Sequence, residues 1–116
     1  MREQMEKQYP ECTNELLDNF DKAYSLWCRK QHDYGDSNIR LGLDLSSSSS
    51  ECPQNNRLAK LGIVIRMNDK ISRLTNLYKK DKINSSAVLE SIEDTCIDLM
   101  NYANMLMVLK KGKWGK

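Results

Sequence analysis

The sequence has one histidine, His32, so a site built from several histidines is excluded. Its five glycines include neither G-x-G-x-x-G nor G-x-x-x-x-G-K-[ST], so the usual nucleotide-binding loops are absent. No run approaches the ~18 apolar residues that a membrane-spanning helix needs, so no membrane partner is expected. None of the four cysteines, Cys12, Cys28, Cys52 and Cys96, forms a C-x-x-C pair, which argues against a zinc ribbon or a dithiol redox site. A net charge of +2 is too small to call for nucleic acid, and the basic residues are interrupted by acids. No G-x-S-x-G elbow occurs, and no cysteine has a second histidine to serve it, so nucleophilic catalysis has little support. The opening MREQMEKQYPEC is polar and acidic and reads as neither secretory signal nor transit peptide. The expected setting is a reducing cytoplasm, with Cys28 and Cys96 as buried thiols among apolar neighbours.

What is present is helical periodicity. Residues 1–12 read as a polar lead-in interrupted by Pro10. Thr13 is a candidate N-cap for a helix from about Asn14 to Lys30 or Gln31, with Leu16, Leu17, Phe20, Ala23, Tyr24 and Trp27 at helical spacing. Gly35 breaks that pattern, and Asp36 or Ser37 can cap a short helix through Asn38–Leu43. The serine-rich stretch within residues 44–55 predicts a surface loop.

A second long helix is expected from near Asn56 to Lys79 or Lys80, with Leu58, Leu61, Val64, Ile65, Ile71, Leu74 and Leu77 on its apolar side. Ser85 or Ser86 can cap a third, from about Ala87 to Leu109. The tail at 110–116, KKGKWGK, is basic and glycine-broken and is expected to fray. No strand-period segment of useful length appears. The fold class is all-α: a small helical bundle of three long helices with short connecting ones, in a single domain over residues 13–109.

Two charged stripes stand out. Glu90, Asp94, Asp98 and Asn101 follow i, i+4, i+8 and i+11, within about 80° of one another on the helical wheel. Acids at i, i+4 destabilise an isolated helix by a few tenths of a kcal/mol per pair, so this row calls for compensating cations. Facing side chains or a bound Mg²⁺ can supply them. On the second helix Arg66, Asp69, Lys70 and Arg73 share another stripe, which can pair with the acids or hold phosphate oxygens. In His32-Asp33-Tyr34-Gly35-Asp36-Ser37, Tyr34 could stack on a base and Asp36 could reach a sugar or base edge.

Three segments, KQHDYGDS (30–37), RMNDKISRLTNL (66–77) and ESIEDTCIDLMNYA (90–103), together resemble the nucleotide-modification-associated domain 1 family of phages and bacteria. More remotely the chain is similar to the all-α nucleoside triphosphate pyrophosphohydrolases of the MazG and dimeric dUTPase type. The resemblance implies a nucleotide ligand and the cytoplasm, or the host cytoplasm if phage-encoded. For an enzyme it implies Mg²⁺-dependent pyrophosphohydrolysis with Glu90, Asp94 and Asp98 as metal ligands. Arg66, Lys70 and Arg73 would meet phosphates, and Asp69 would add a carboxylate. Those enzymes carry E-x-x-E on one helix and E-x-x-D on the next. Glu90-Ser-Ile-Glu93 fits the first, whereas the second helix has Asp69 alone among cations. The alternatives are a non-catalytic nucleotide-sequestering or regulatory protein and a helical homo-oligomeric interaction module.

Overall fold

The computed structural model describes residues 1–35, 53–79 and 85–116, with 53–56 described by backbone alone. Among these residues lie four α-helices and no strand: α1 (Arg2–Gln8), α2 (Pro10–Tyr34), α3 (Pro53–Tyr78) and α4 (Ser86–Lys110). The fold is the expected all-α bundle with three long helices. No helix among the described residues is long and apolar enough to cross a membrane. The short helix expected at 38–43, Asp36, Cys52, residues 44–52 of the serine-rich stretch and residues 80–84 of the last connection lie outside the described residues.

Several boundaries differ from the sequence expectation for local reasons. The lead-in is itself helical, as α1. Tyr9 breaks it (φ −130°, ψ 62°), because a residue before proline is pushed out of the helical region. Pro10 then opens α2 at a position where a missing N–H costs nothing. Thr13 is therefore inside α2 rather than capping it, and its hydroxyl donates to the Tyr9 carbonyl at 2.9 Å. α3 starts at Pro53, three residues before the expected Asn56, for the same reason as α2. The cap of α4 is as expected: Ser85 Oγ accepts from the Val88 N–H at 3.3 Å.

The C-terminal tail is folded rather than frayed. Gly112 takes the left-handed conformation (φ +67°). Its N–H donates to the Leu109 carbonyl at 3.0 Å, and the Lys113 N–H donates to Val108 at 3.1 Å. This is a Schellman end, in which two orphan carbonyls of α4 find donors. It turns the chain back so that Trp114 meets Trp27 edge to face, with ring centroids 6.2 Å apart.

α4 is central. Both α3 and α2 pack on it, while among the described residues the backbones of α2 and α3 do not approach each other closely and α1 touches only α2. The pairs Lys70–Asp98 and Arg66–Tyr102 make α3 and α4 antiparallel. The main core is Ala59, Ile63, Met105 and Leu109, flanked by Trp27, Met67, Tyr102, Leu106 and Trp114. Ile63 is fully buried, worth about 1.5–3 kcal/mol of transfer free energy.

With α4 as their one long-helix neighbour among the described residues, α2 and α3 bury less than their periodicity implied. Leu16, Leu17, Phe20 and Tyr24 of α2 are exposed, as are Leu58, Leu61, Val64, Ile65 and Ile71 of α3. Of the expected α3 set Leu77 is buried, and Ala59, Gly62 and Ile63 are the other buried residues described on this helix. Cys28 and Cys96 are exposed, not buried. Cys28 lies five residues beyond buried Ala23, which puts it about 140° round α2. Cys96 follows buried Thr95 and points about 100° away from it.

Candidate ligand-binding groove

The cationic stripe of α3 comes together as the wall of a groove. Arg66, Asp69, Lys70 and Arg73, joined by Ser72, Asn76 and Leu77, line a cavity of about 620 Å³ whose other side is Tyr102 of α4. Spacing explains this. Residues 66, 69, 70, 73, 76 and 77 recur every three or four positions, so they share a side of α3 close to the α4 contact. The Arg66 guanidinium lies over the Tyr102 ring, 5.9 Å from its centroid. That cation–π contact holds the fork in place.

Asp98 ties the three long helices together. Its Oδ2 accepts from Lys70 Nζ at 2.9 Å and its Oδ1 from Lys30 Nζ at 3.5 Å. The carboxylate is only 19% exposed and Lys70 28%, so water screens this pair less than a surface ion pair. A second link from α2 is more exposed: Lys22 Nζ sits 3.4 Å from Glu93 Oε1 and 3.4 Å from Asp18 Oδ2. The Asp18 and Glu93 carboxylates raise the Lys22 ammonium above its ordinary pKa, Asp18 having the larger effect.

The acidic stripe divides. Asp98 reaches the cations, whereas Glu90 and Asp94 are exposed on α4. Eight residues of helix separate Glu90 from Asp98 by about 12 Å of rise. A single Mg²⁺ holds its ligands at about 2.1 Å, so it cannot collect all three carboxylates. Among the described residues no group of three His, Cys, Asp or Glu side chains is placed to hold a metal ion. These residues therefore do not fit the metal centre that the resemblance implied.

The remaining expected residues are dispersed. Asn101 lines a different groove, between α2 and α4. Tyr34 is exposed at the end of α2, and Asp36 is outside the described residues. His32 is exposed, and its Nδ1 lies 3.3 Å from Asp33 Oδ1.

Tyr102, Ser72 and Asn76 belong to the groove although the charged pattern did not single them out. Ser72 and Asn76 extend the same i, i+3, i+4 series, so extending the stripe would have found Asn76. Tyr102 follows Asn101 directly and becomes a groove residue only because α4 packs antiparallel to α3. Lys30 had no distinguishing signal, since its role depends on how α2 crosses α4.

Chemically, the groove offers two guanidinium forks, an ammonium, a hydroxyl, an amide and an aromatic face. That set suits a phosphate-bearing, partly aromatic molecule. Among the described residues Asp69 is the one carboxylate in its lining, and Ser72 has no imidazole beside it there. Comparison with protein-family models, curated proteins and solved structures finds no match to this chain.

Proposed function

We propose that the chain binds a nucleotide or nucleotide-like polyphosphate in the α3–α4 groove and holds it without hydrolysing it. The observation that supports this reading is the convergence of Arg66, Lys70 and Arg73 on one groove that also presents the Tyr102 ring. The arginine forks would meet phosphate oxygens in pairs, and Lys70 would add a point charge. Tyr102, whose ring lies under the Arg66 guanidinium, would offer its edge to a base, and Ser72 and Asn76 would offer hydrogen bonds to a sugar. The resemblance of residues 30–37, 66–77 and 90–103 to a nucleotide-modification-associated domain favours nucleotides over other phosphate compounds. It also supplies the setting, phage-type nucleotide metabolism in the cytoplasm.

Binding without turnover is favoured over hydrolysis by the acidic stripe. Asp98 is engaged by two lysines, and the three stripe carboxylates do not share a centre. Mg²⁺ would then arrive with the polyphosphate rather than on a carboxylate cage.

Calorimetric titration with nucleoside triphosphates and with inorganic triphosphate, each with and without Mg²⁺, tests the reading. Nucleotide binding should be tighter than inorganic triphosphate binding. Arg66→Ala and Arg73→Ala should each weaken it by roughly 10–100-fold, the range for one charge-assisted hydrogen-bonded contact. Absence of heat with every phosphate compound would reject the site. Steady release of phosphate or pyrophosphate would reject the non-catalytic form.

A further inference from the structure

We propose that the exposed face of α2, with the apolar groove it forms against α4, is the docking surface for a second copy of this chain. The starting observation is an arm that is exposed among the described residues. None of residues 10–22 is buried, and α1 has no buried residue. Among the described residues α1 touches only α2. A seven-residue helix is far below the length at which an isolated helix holds in water, so this arm needs a surface to lie on.

The arm has the chemistry of an interface. Leu16, Leu17, Phe20 and Tyr24 make one stripe along α2, and each is about half exposed or more, Phe20 by 60% and Tyr24 by 65%. Beside the stripe runs a groove of about 590 Å³, with Phe20 and Tyr24 on one wall and Met100 and Met107 on the other. Among the described residues no charged side chain lines it. Phosphate ligands are therefore unsuited to it, and charge depletion is typical of the centre of a protein interface.

The second copy is favoured by how projection and recess are arranged. The apolar knobs and the recess that could take them lie side by side on one face. A two-fold axis through that face places each copy's knobs against the other's groove, the isologous arrangement of most soluble dimers. The area also fits. The exposed parts of Tyr9, Leu16, Leu17, Phe20, Tyr24 and Met107 sum to on the order of 600 Å², against roughly 800 Å² per partner in a standard interface.

Sedimentation equilibrium of the full chain should give twice the 13.5 kDa chain mass at micromolar concentration. Phe20→Glu should weaken the dimer by at least ~30-fold, as a central anchor does, with helical circular dichroism retained. Leu61→Glu, on the outer face of α3, should leave the dimer intact. Amide exchange of residues 10–20 in the unaltered chain should slow as concentration rises, which needs no variant to fold. A mass of 13.5 kDa throughout, a dimer unaffected by Phe20→Glu, a dimer lost with Leu61→Glu, or exchange independent of concentration would each overturn the proposal.

Discussion

Lys30 and Lys70 share the Asp98 carboxylate, one ammonium on each oxygen, and so a single α4 side chain bridges two helices whose backbones, among the described residues, do not approach each other closely. Asp98→Ala leaves both ammoniums without their counter-charge in a partly buried setting. The expected loss is about 1–3 kcal/mol, and Asp98→Asn should lose less because it keeps an acceptor. Urea unfolding of the three proteins checks this; a loss for Asp98→Ala below that range would mean that water already serves the lysines.

Ile63 and Ile65 lie two residues apart on α3 with opposite environments, the first fully buried and the second 54% exposed. Ile63→Ala should cost about 2–5 kcal/mol through lost burial and a residual cavity. Ile65→Ala should stay within about 0.5 kcal/mol. Chemical denaturation curves compare them directly, and similar losses at both sites would show that the outer face of α3 is covered.

Gly112 ends α4 at φ +67°, and a Cβ added there meets nothing within 4 Å. Gly112→Ala should therefore cost only backbone strain, about 1–2 kcal/mol, without a steric clash. The same strain loosens the turn that seats Trp114 against Trp27. Tryptophan fluorescence should shift to the red together with the loss of stability; a loss without the shift would separate the turn from the seating of Trp114.

The Lys22 ammonium has its pKa raised in the folded chain, first by Asp18 and then by Glu93. Folding thus favours its charged form. The stabilisation is fully present below the ordinary lysine pKa and is lost as pH rises through the raised folded value. Lys22→Met should differ from the unaltered chain at neutral pH and converge with it in strong alkali. Melting temperatures across that alkaline range, at low salt, measure the difference.

Helix existence was legible because periodicity and punctuation agreed: Ser85 caps α4 and Gly35 stops α2. The starts of α2 and α3 were placed too late, because Pro10 and Pro53 open these helices rather than interrupting the chain before them. The inward side was less legible. α3 is apolar nearly all round between Leu58 and Met67, so its composition alone could not choose Ile63 over Ile65. Contact with α4 makes that choice. The cationic wall of the groove was visible as Arg66, Asp69, Lys70 and Arg73, since one helix face needs only spacing to define it. Tyr102 and Lys30 depend on how separate helices meet, which no spacing within one helix encodes. The row of acids was visible too, but helix rise places Glu90 and Asp98 too far apart to act on one ion.

The placement of α4 between its neighbours couples the groove to α2. Lys70 belongs both to the groove and to the Asp98 bridge. An anion that drew Lys70 toward itself would leave Asp98 with Lys30 alone and would undo the link from α3 to α2 through that carboxylate. If an anion binds there as proposed, thermodynamic reciprocity requires that whatever fixes α2 in place alter the affinity of the groove.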